Sequence, residues 1–417
     1  MNLSPPRLAL LAILAVFLVA LPWIAPTNAT LSIATQMLVW TVMALSYNIV
    51  FGQTGLLSFC HAVFFGAGAF AASHAVNAAA GEGLLAGLPL WIMPIPAFAA
   101  GAITAFIYGL FLARRTGVAF VMITMALATL TVSTVDNFDS IFGGESGVSI
   151  DRAFQDSFFG LVSFGPQRQA YWLVLAWAAL AAGLMWVLTR TAFGQLATAT
   201  RENEERVRFS GQSTYRIRLV AMVLAGGFAG LAGALHAINI EQVSVEQFSL
   251  KTSALALFMC VIGGARMFYG PILGAVLLSA LDKVLPSYTG SWPMYLGLVF
   301  CAVLIFSPDG LAGIGKGIAQ AFRAPRAREQ VLGRLLGRLV AVAVLAFGTI
   351  LAVEMATVLS SQEALVVRDA VPVLGLSVDA TSPIYWLLAL ALIAAGAWGA
   401  KQLVPPRKSA GAEVPHA

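Results

Sequence analysis

Long apolar runs alternate with short polar gaps along nearly the whole chain. A membrane-spanning helix needs about 20 mostly apolar residues. Runs approaching that length occur at 8–25, 31–50, 56–77, 89–113, 117–135, 170–188, 218–240, 252–262, 269–285, 293–307, 339–359 and 383–400. The pattern predicts an all-α polytopic membrane protein, a bundle of about 10–12 transmembrane helices. Two runs are irregular. The 252–262 run is short, and the 56–77 run is rich in glycine, so it reads either as a separate span or as part of a broken helix continuing from the one before it.

Composition agrees with that reading. Hydrophobic residues are 59% of the 417, and charged residues are 10%, against roughly 25% in soluble proteins. A soluble body of this size is excluded. The net charge of +5 is not the footprint of a nucleic-acid partner, because the basic residues sit in the gaps between apolar runs. With the N-terminus inside and strict alternation, 19 of the 24 Lys and Arg fall on the cytoplasmic side, which fixes the orientation by the positive-inside rule. The gap 189–218 then carries six Arg against three Glu inside. The gap 136–169, with Asp136, Asp139, Glu145, Asp151 and Asp156, lies outside. Both termini are expected in the cytoplasm. Arg7 followed by an apolar stretch resembles a signal peptide, but no small-x-small cleavage site follows, so residues 1–30 are read as a retained N-terminal membrane helix.

The spans hold few charges. Glu354 lies well inside one, and Asp282 and Lys283 lie near the end of another. Ion-coupled carriers usually keep such groups at mid-membrane, so the chain lacks a visible energy source of its own. The run Gly310 to Lys316 has GxxxxGK spacing, but Gly317 stands where the magnesium-binding Ser or Thr belongs, and the run follows a membrane helix rather than a strand. Cys60, Cys260 and Cys301 fit neither a disulfide frame nor a zinc site, and the four histidines form no metal-ligand cluster. There are no paired acids, no HExxH and no nucleophile–base pair for an intramembrane enzyme.

Three kinds of segment carry information. The polar stretch 195–209, ended by Ser210-Gly211, suits a short helix on the cytoplasmic face, with Glu202 and Glu205 at helical spacing from Arg206 and Arg208. It reads either as a docking helix for a partner or as a solvated positive-inside loop. Gly226, Gly230 and Ala234, widened by Gly227 and Gly233, form a small-residue face for helix packing. Gly52, Gly55, Gly263 and Gly264 precede apolar helices and are candidates for helix breaks lining a cavity. His61 suits an interhelical hydrogen bond, with a ligand role as the alternative. Gln36, Tyr47, Asn48, Ser58, Thr124 and Thr131 supply neutral polar groups to a path or to backbone carbonyls.

Four blocks, in order, resemble the branched-chain amino acid ABC transporter permeases of the LivM-like type. The first holds Asn48, Gly52, Gly55 to Ser58, His61-Ala62, Phe64 to Gly66 and Gly68-Ala69. The second holds Gly117 to Thr124 and Gly143 to Gly147. The third holds Phe193-Gly194, then Arg201, Glu202, Asn203, Glu204, Glu205, Arg206 and Gly211. The fourth holds Gly263-Gly264, Gly270-Pro271, Gly274-Ala275 and Ser307 to Leu311. The resemblance implies a permease core over 31–315 and a C-terminal extension, 316–417, with two further membrane helices. It implies that Arg201, Glu202, Asn203, Glu204, Glu205, Arg206 and Gly211 form the ATPase-coupling loop. Asn48, Ser58, His61 and Thr124 become candidates for the substrate path, and Gly52, Gly55, Gly66, Gly263, Gly264, Gly270 and Pro271 mark helix breaks or close packing. It further implies an ATP-driven importer of branched-chain or related amino acids in a bacterial inner membrane, without catalysis, cofactor or metal in this chain. ATP is expected on two cytoplasmic ATPase subunits, beside a sister permease and a periplasmic binding protein. A urea or short-amide permease of the same fold, or an ion-coupled carrier using His61 or Glu354, are the alternative readings. Departures include Cys60 and Phe70 where the family more often has Gly and Tyr, Val207 for a usual Ala, and Ala265-Arg266-Met267 for a more Gly-rich run.

Overall fold

The structure is a computed structural model. It describes residues 16–24, 27–80, 88–152, 164–287, 292–306, 310–313, 315–316, 328–360, 371–373, 376–378 and 382–402. The expected first span, 8–25, is described only over helix α1, 16–24. Asp156, Ser307 to Asp309 and Gly317 lie outside the described residues.

Almost everything described is helix, the form in which an apolar segment satisfies its own backbone in lipid. In chain order follow α2 (Asn28–Asn48), extended by a π-helical turn Ile49–Gln53, then α3 (His61–Ala80), α4 (Pro94–Leu112) and α5 (Gly117–Asp136). After the single turn α6 (Asp139–Phe142) come α7 (Gln167–Arg190), α8 (Ala192–Glu202), α9 (Glu204–Phe209) and α10 (Thr214–Ile240). Helices α11 (Leu250–Gly263) and α12 (Gly270–Val284) are short. Among the described residues, six helices are long and apolar enough to cross a membrane, and further shorter apolar helices accompany them.

Two expectations change in detail. The 56–77 run does hold a span of its own, but it starts late: residues 55–60 are not helical, and α3 begins only at His61. The polar 195–209 segment is two helices rather than one, because Asn203 leaves the helical region at φ −156° and its side chain caps α9 by accepting from the Arg206 N–H at 2.9 Å.

The chain packs as two compact units, Met1–Lys283 and Val284–Ala417. At the centre of the first is α10, with 78% of its apolar stretch buried, against 22% for α5. Its small residues explain that position. A side chain at Gly230 would collide with the carbonyl of Ala97, one at Gly68 with the backbone of Gly230, and one at Gly233 with the carbonyl of Phe65. Glycine there lets the α3, α4 and α10 backbones touch, and close approach is what stabilises helix pairs in lipid. The α11–α12 hairpin uses the same device: side chains at Gly263 and Gly270 would each meet the other limb's backbone, and Gly264 turns the chain at φ +105°. Pro271 sits in the first turn of α12, where its missing N–H is not needed. Gly66 faces the Phe248 ring, where an added methyl group would come within 2.7 Å of Cδ1.

Two ends of this unit are distinguished by what they gather. One holds the π-helical turn, α8 and α9, and the α11–α12 turn. The other holds a two-residue ribbon, β1 (Val148–Ser149) against β2 (Gln242–Val243), antiparallel. The second unit contains helices Trp292–Phe306, Arg328–Ser360 and Pro383–Gln402. Arg328–Ser360 begins 11 residues before the expected 339. It lies antiparallel to Pro383–Gln402, with Gly348 against Leu392 and Gly396 against Leu345.

Candidate functional site

The break after α2 is built inside the bundle. Gly55 takes φ +75°, the left-handed region that favours glycine, and the chain doubles back. His61 returns to the level of Ser46 and Tyr47, its ring 5.0 Å from that of Tyr47. Gln53 lies two helical turns beyond Ser46, so the returning strand re-enters by about 10 Å. Its non-helical backbone needs partners, and side chains supply them. The Tyr47 hydroxyl donates to the Ser58 carbonyl at 2.9 Å and accepts from the Ser58 N–H at 3.2 Å. Thr124 of α5 accepts from the Phe59 N–H at 3.2 Å, and Ser253 of α11 accepts from the Ala62 N–H at 2.8 Å. His61 makes the interhelical bond, with Nε2 2.8 Å from Ser46 Oγ. Ser46 Oγ donates to the Met43 carbonyl. The His61 proton therefore sits on Nε2, and its fully buried Nδ1 is an unfilled acceptor.

Ser58, His61 and Thr124 are thus brought together around one re-entrant segment, and Asn48 is not. Asn48 points the other way along α2, where its Oδ1 lies 3.6 Å from Cys260 Sγ. A side chain at Gly52 would meet Asn48 and the Ala265 carbonyl, so the π-helical turn packs directly on the α11–α12 turn. Between these elements and α8 is a cavity of about 640 Å³.

Helices α8 and α9 fold onto α10 around a small core of Ala197, Val207 and Ile217. The expected pairing of Glu202 and Glu205 with Arg206 and Arg208 is not what holds them. Glu204 does so: it bonds Arg218 of α10 at 2.5 Å, Arg208 at 2.6 Å and the Thr214 hydroxyl at 3.1 Å. The Arg218 side chain is only 6% exposed. Burial works to raise the Glu204 carboxyl, but the Arg218 hydrogen bond and charge, with Thr214 and Arg208, outweigh it and hold it below the ordinary glutamate value. Arg201 reaches across to α2 and donates to the Gly52 carbonyl at 2.5 Å. Glu202, Glu205 and Arg206 are exposed, Gly211 ends the segment at φ +81°, and Phe209 stands 91% exposed.

At the opposite end a buried polar chain ties α2, α7 and α10 together. Arg152 pairs with Glu241 at 2.7 Å and donates to Gln167 at 2.8 Å. Gln167 donates to Asn239 at 2.7 Å, and Asn239 to Gln36 at 3.2 Å. His236 continues the chain: its Nε2 accepts from Gln247 at 3.2 Å, so its Nδ1–H donates to Gln36 Oε1, also at 3.2 Å.

Sequence reasoning missed Ser46, Gln53, Phe209, Arg218, Ser253 and Arg266. Phe209 had a signal, as the one aromatic residue at the end of a charged segment. Arg218 and Ser253 sat at the edges of apolar runs, where residue type alone does not reveal a cross-chain partner.

A family model described as the branched-chain amino acid transport system permease component matches residues 29–308, well over half of the chain. The high-affinity branched-chain amino acid transport system permease protein LivM of Escherichia coli (strain K12) is 29% identical over 73% of this chain and 74% of its own length. LivM of Salmonella typhimurium is 28% identical over 72% and 74%. The autoinducer 2 import system permease protein LsrC of Salmonella paratyphi B is 34% identical over 36% of this chain and 43% of its own. No solved structure matches the chain.

Proposed function

We propose a function from an established premise: this chain belongs to the branched-chain amino acid transport system permease family. As a permease component it moves a solute across a membrane. Our reading is that it serves an ATP-driven importer of branched-chain or related amino acids in a bacterial inner membrane. It would work with a sister permease, two cytoplasmic ATPases and a periplasmic binding protein. The LivM matches favour amino-acid cargo over the autoinducer cargo of LsrC, because they run over twice as much of the chain.

One observation carries the coupling part of the proposal. The α8–α9 pair is fastened to two spans: Arg201 holds the π-helical turn of α2 at the Gly52 carbonyl, and Glu204 holds α10 through Arg218. π-helical turns are irregular points at which helices are commonly adapted for function. A push on α8–α9 is therefore transmitted to α2 and α10 by ion pairs and hydrogen bonds rather than through solvent. In this reading α8–α9 faces the cytoplasm and its contact surface is Glu205, Arg206 and Phe209. The re-entrant segment carrying Ser58 and His61 is the part that yields, and the unfilled His61 Nδ1 gains a partner when it does.

The test reverses two exposed charges, Glu205→Arg with Arg206→Glu, and truncates Phe209→Ala. The reconstituted complex should keep ATP hydrolysis but lose leucine uptake at least tenfold, and a cysteine at Glu205 should cross-link to an ATPase. Normal uptake together with no cross-link would return α8–α9 to an ordinary surface loop. Glu204 and Asn203 are unsuitable for this probe, since one fastens α10 and the other caps α9.

A further inference from the structure

The cavity beside the α8–α9 pair is lined by an arrangement of charges and acceptors that its role in coupling does not explain. Arg201 and Arg266 contribute two guanidinium groups to its wall. Partial desolvation and then the charge of Arg266 hold the Arg201 guanidinium below its ordinary value, with Glu202 working against both. On the same wall Gln53 is 92% buried, and its Oε1 has no hydrogen-bond partner. A buried acceptor without a donor is costly to fold, and polar groups left in that state in native proteins usually have a reason. Asn48 also lines the cavity, and its Oδ1 makes a long contact to Cys260 Sγ at 3.6 Å. Phe268 supplies an apolar surface. The volume, about 640 Å³, is within the range of about 300–1,000 Å³ typical of small-molecule sites.

These groups are complementary to one chemical class. Two guanidiniums are matched to a carboxylate. An unfilled amide oxygen, an Asn oxygen and a carboxylate are matched to an ammonium, which offers three donors and no acceptor. An aromatic wall is matched to an apolar side chain. We infer that this cavity is a binding site for a zwitterionic α-amino acid, with its carboxylate between Arg201 and Arg266 and its ammonium at Gln53, Asn48 and Glu202. The inference rests on the amino-acid reading above and adds to it a second station, away from the re-entrant segment, at the α8–α9 end of the permease. An occupant there draws Arg201 toward its carboxylate and so competes with the Gly52 carbonyl for the same donor, which makes occupancy visible to the coupling helices.

The experiment uses the chain in its reconstituted complex, in vesicles with the α8–α9 face outward, and a diazirine analogue of leucine as the probe. Photolysis and peptide mapping should place the label within 48–53, 198–202 or 265–268. Excess leucine should remove it, whereas 4-methylpentanoate, which lacks the ammonium, and isopentylamine, which lacks the carboxylate, should compete at least tenfold less well. Gln53→Leu and, separately, Arg266→Gln should each weaken leucine competition at least tenfold. Because the competition series is read on the unaltered protein, a variant that fails to fold does not decide the result. ATP-driven leucine uptake is measured on parallel vesicles. Normal uptake without label in these segments overturns the site and leaves the proposed function standing. Label that 4-methylpentanoate removes as well as leucine does overturns it too, because the pocket then recognises an anion alone. Absence of both label and uptake overturns the site together with the amino-acid reading.

Discussion

Glu204 decides how the charged segment is held. Its carboxylate meets Arg218, Arg208 and Thr214 at once, and Arg218 is buried. Removing one partner of a buried pair leaves an uncompensated charge, which costs about 3–5 kcal/mol, discounted here because Glu204 is a quarter exposed. Glu204→Ala should therefore loosen α9 from α10, read as faster proteolysis within 204–213, while Glu205→Ala leaves the cleavage rate unchanged. The pH dependence has a definite sign. Since the folded Glu204 carboxyl lies below its ordinary value, its contribution is fully present above the ordinary glutamate range and is lost as pH falls through the folded value. Protease sensitivity of this segment should rise only once the pH falls below the ordinary glutamate range. An equal cleavage rate for Glu204→Ala and the unaltered chain would contradict this assignment. The sequence made the charge density of 201–208 legible but not which Glu is engaged. Helical spacing counts neighbours along one helix, whereas Arg218 belongs to the next one, and the Asn203 break rotates Glu204 away from Glu202.

At the level of elements, the re-entrant segment is the feature on which the rest depends. Glycine content between Gly52 and Gly55 and the run of short polar side chains made a break legible. Its depth was not, because the partners of the returning backbone come from three other helices: Tyr47, Thr124 and Ser253. Ser58 and Thr124, expected near a path, meet each other only through this backbone scaffold. Tyr47→Phe removes one hydroxyl that satisfies both the N–H and the carbonyl of Ser58. Each buried group left without a partner costs about 1–3 kcal/mol, so the purified complex should melt several degrees lower. Tyr215→Phe is the control, since its hydroxyl makes one long, exposed contact of 3.5 Å. Identical melting of the Tyr47 and Tyr215 variants would mean that the segment is not held by these bonds. The small-residue face of α10 was legible as packing, and the structure adds the partners, Ala97 and Gly101 of α4 and Gly68 of α3.

For the whole molecule, the pattern of apolar runs carried most of the fold, since lipid leaves a chain few alternatives to helices. The family match ends at residue 308, and the helices Arg328–Ser360 and Pro383–Gln402 pack on each other beyond it. In this second unit Glu354, a half-buried acid of the helix Arg328–Ser360, accepts from the Tyr295 hydroxyl at 2.6 Å. A chain ending at residue 327 should still insert and capture the partner ATPases to within about twofold of the full chain. Loss of capture by an inserted chain would make the extension an assembly element. The central proposal is that this permease depends on ATP hydrolysed elsewhere, because the sequence has no complete phosphate loop and few charges inside its apolar runs. The direct measurement is leucine uptake into vesicles holding either the complete complex or this chain alone, with and without ATP, and with the proton gradient intact or collapsed by an ionophore. The expected result is uptake by the complete complex only, dependent on ATP and unaffected by the ionophore. Accumulation of leucine by this chain alone on a proton gradient would contradict the account.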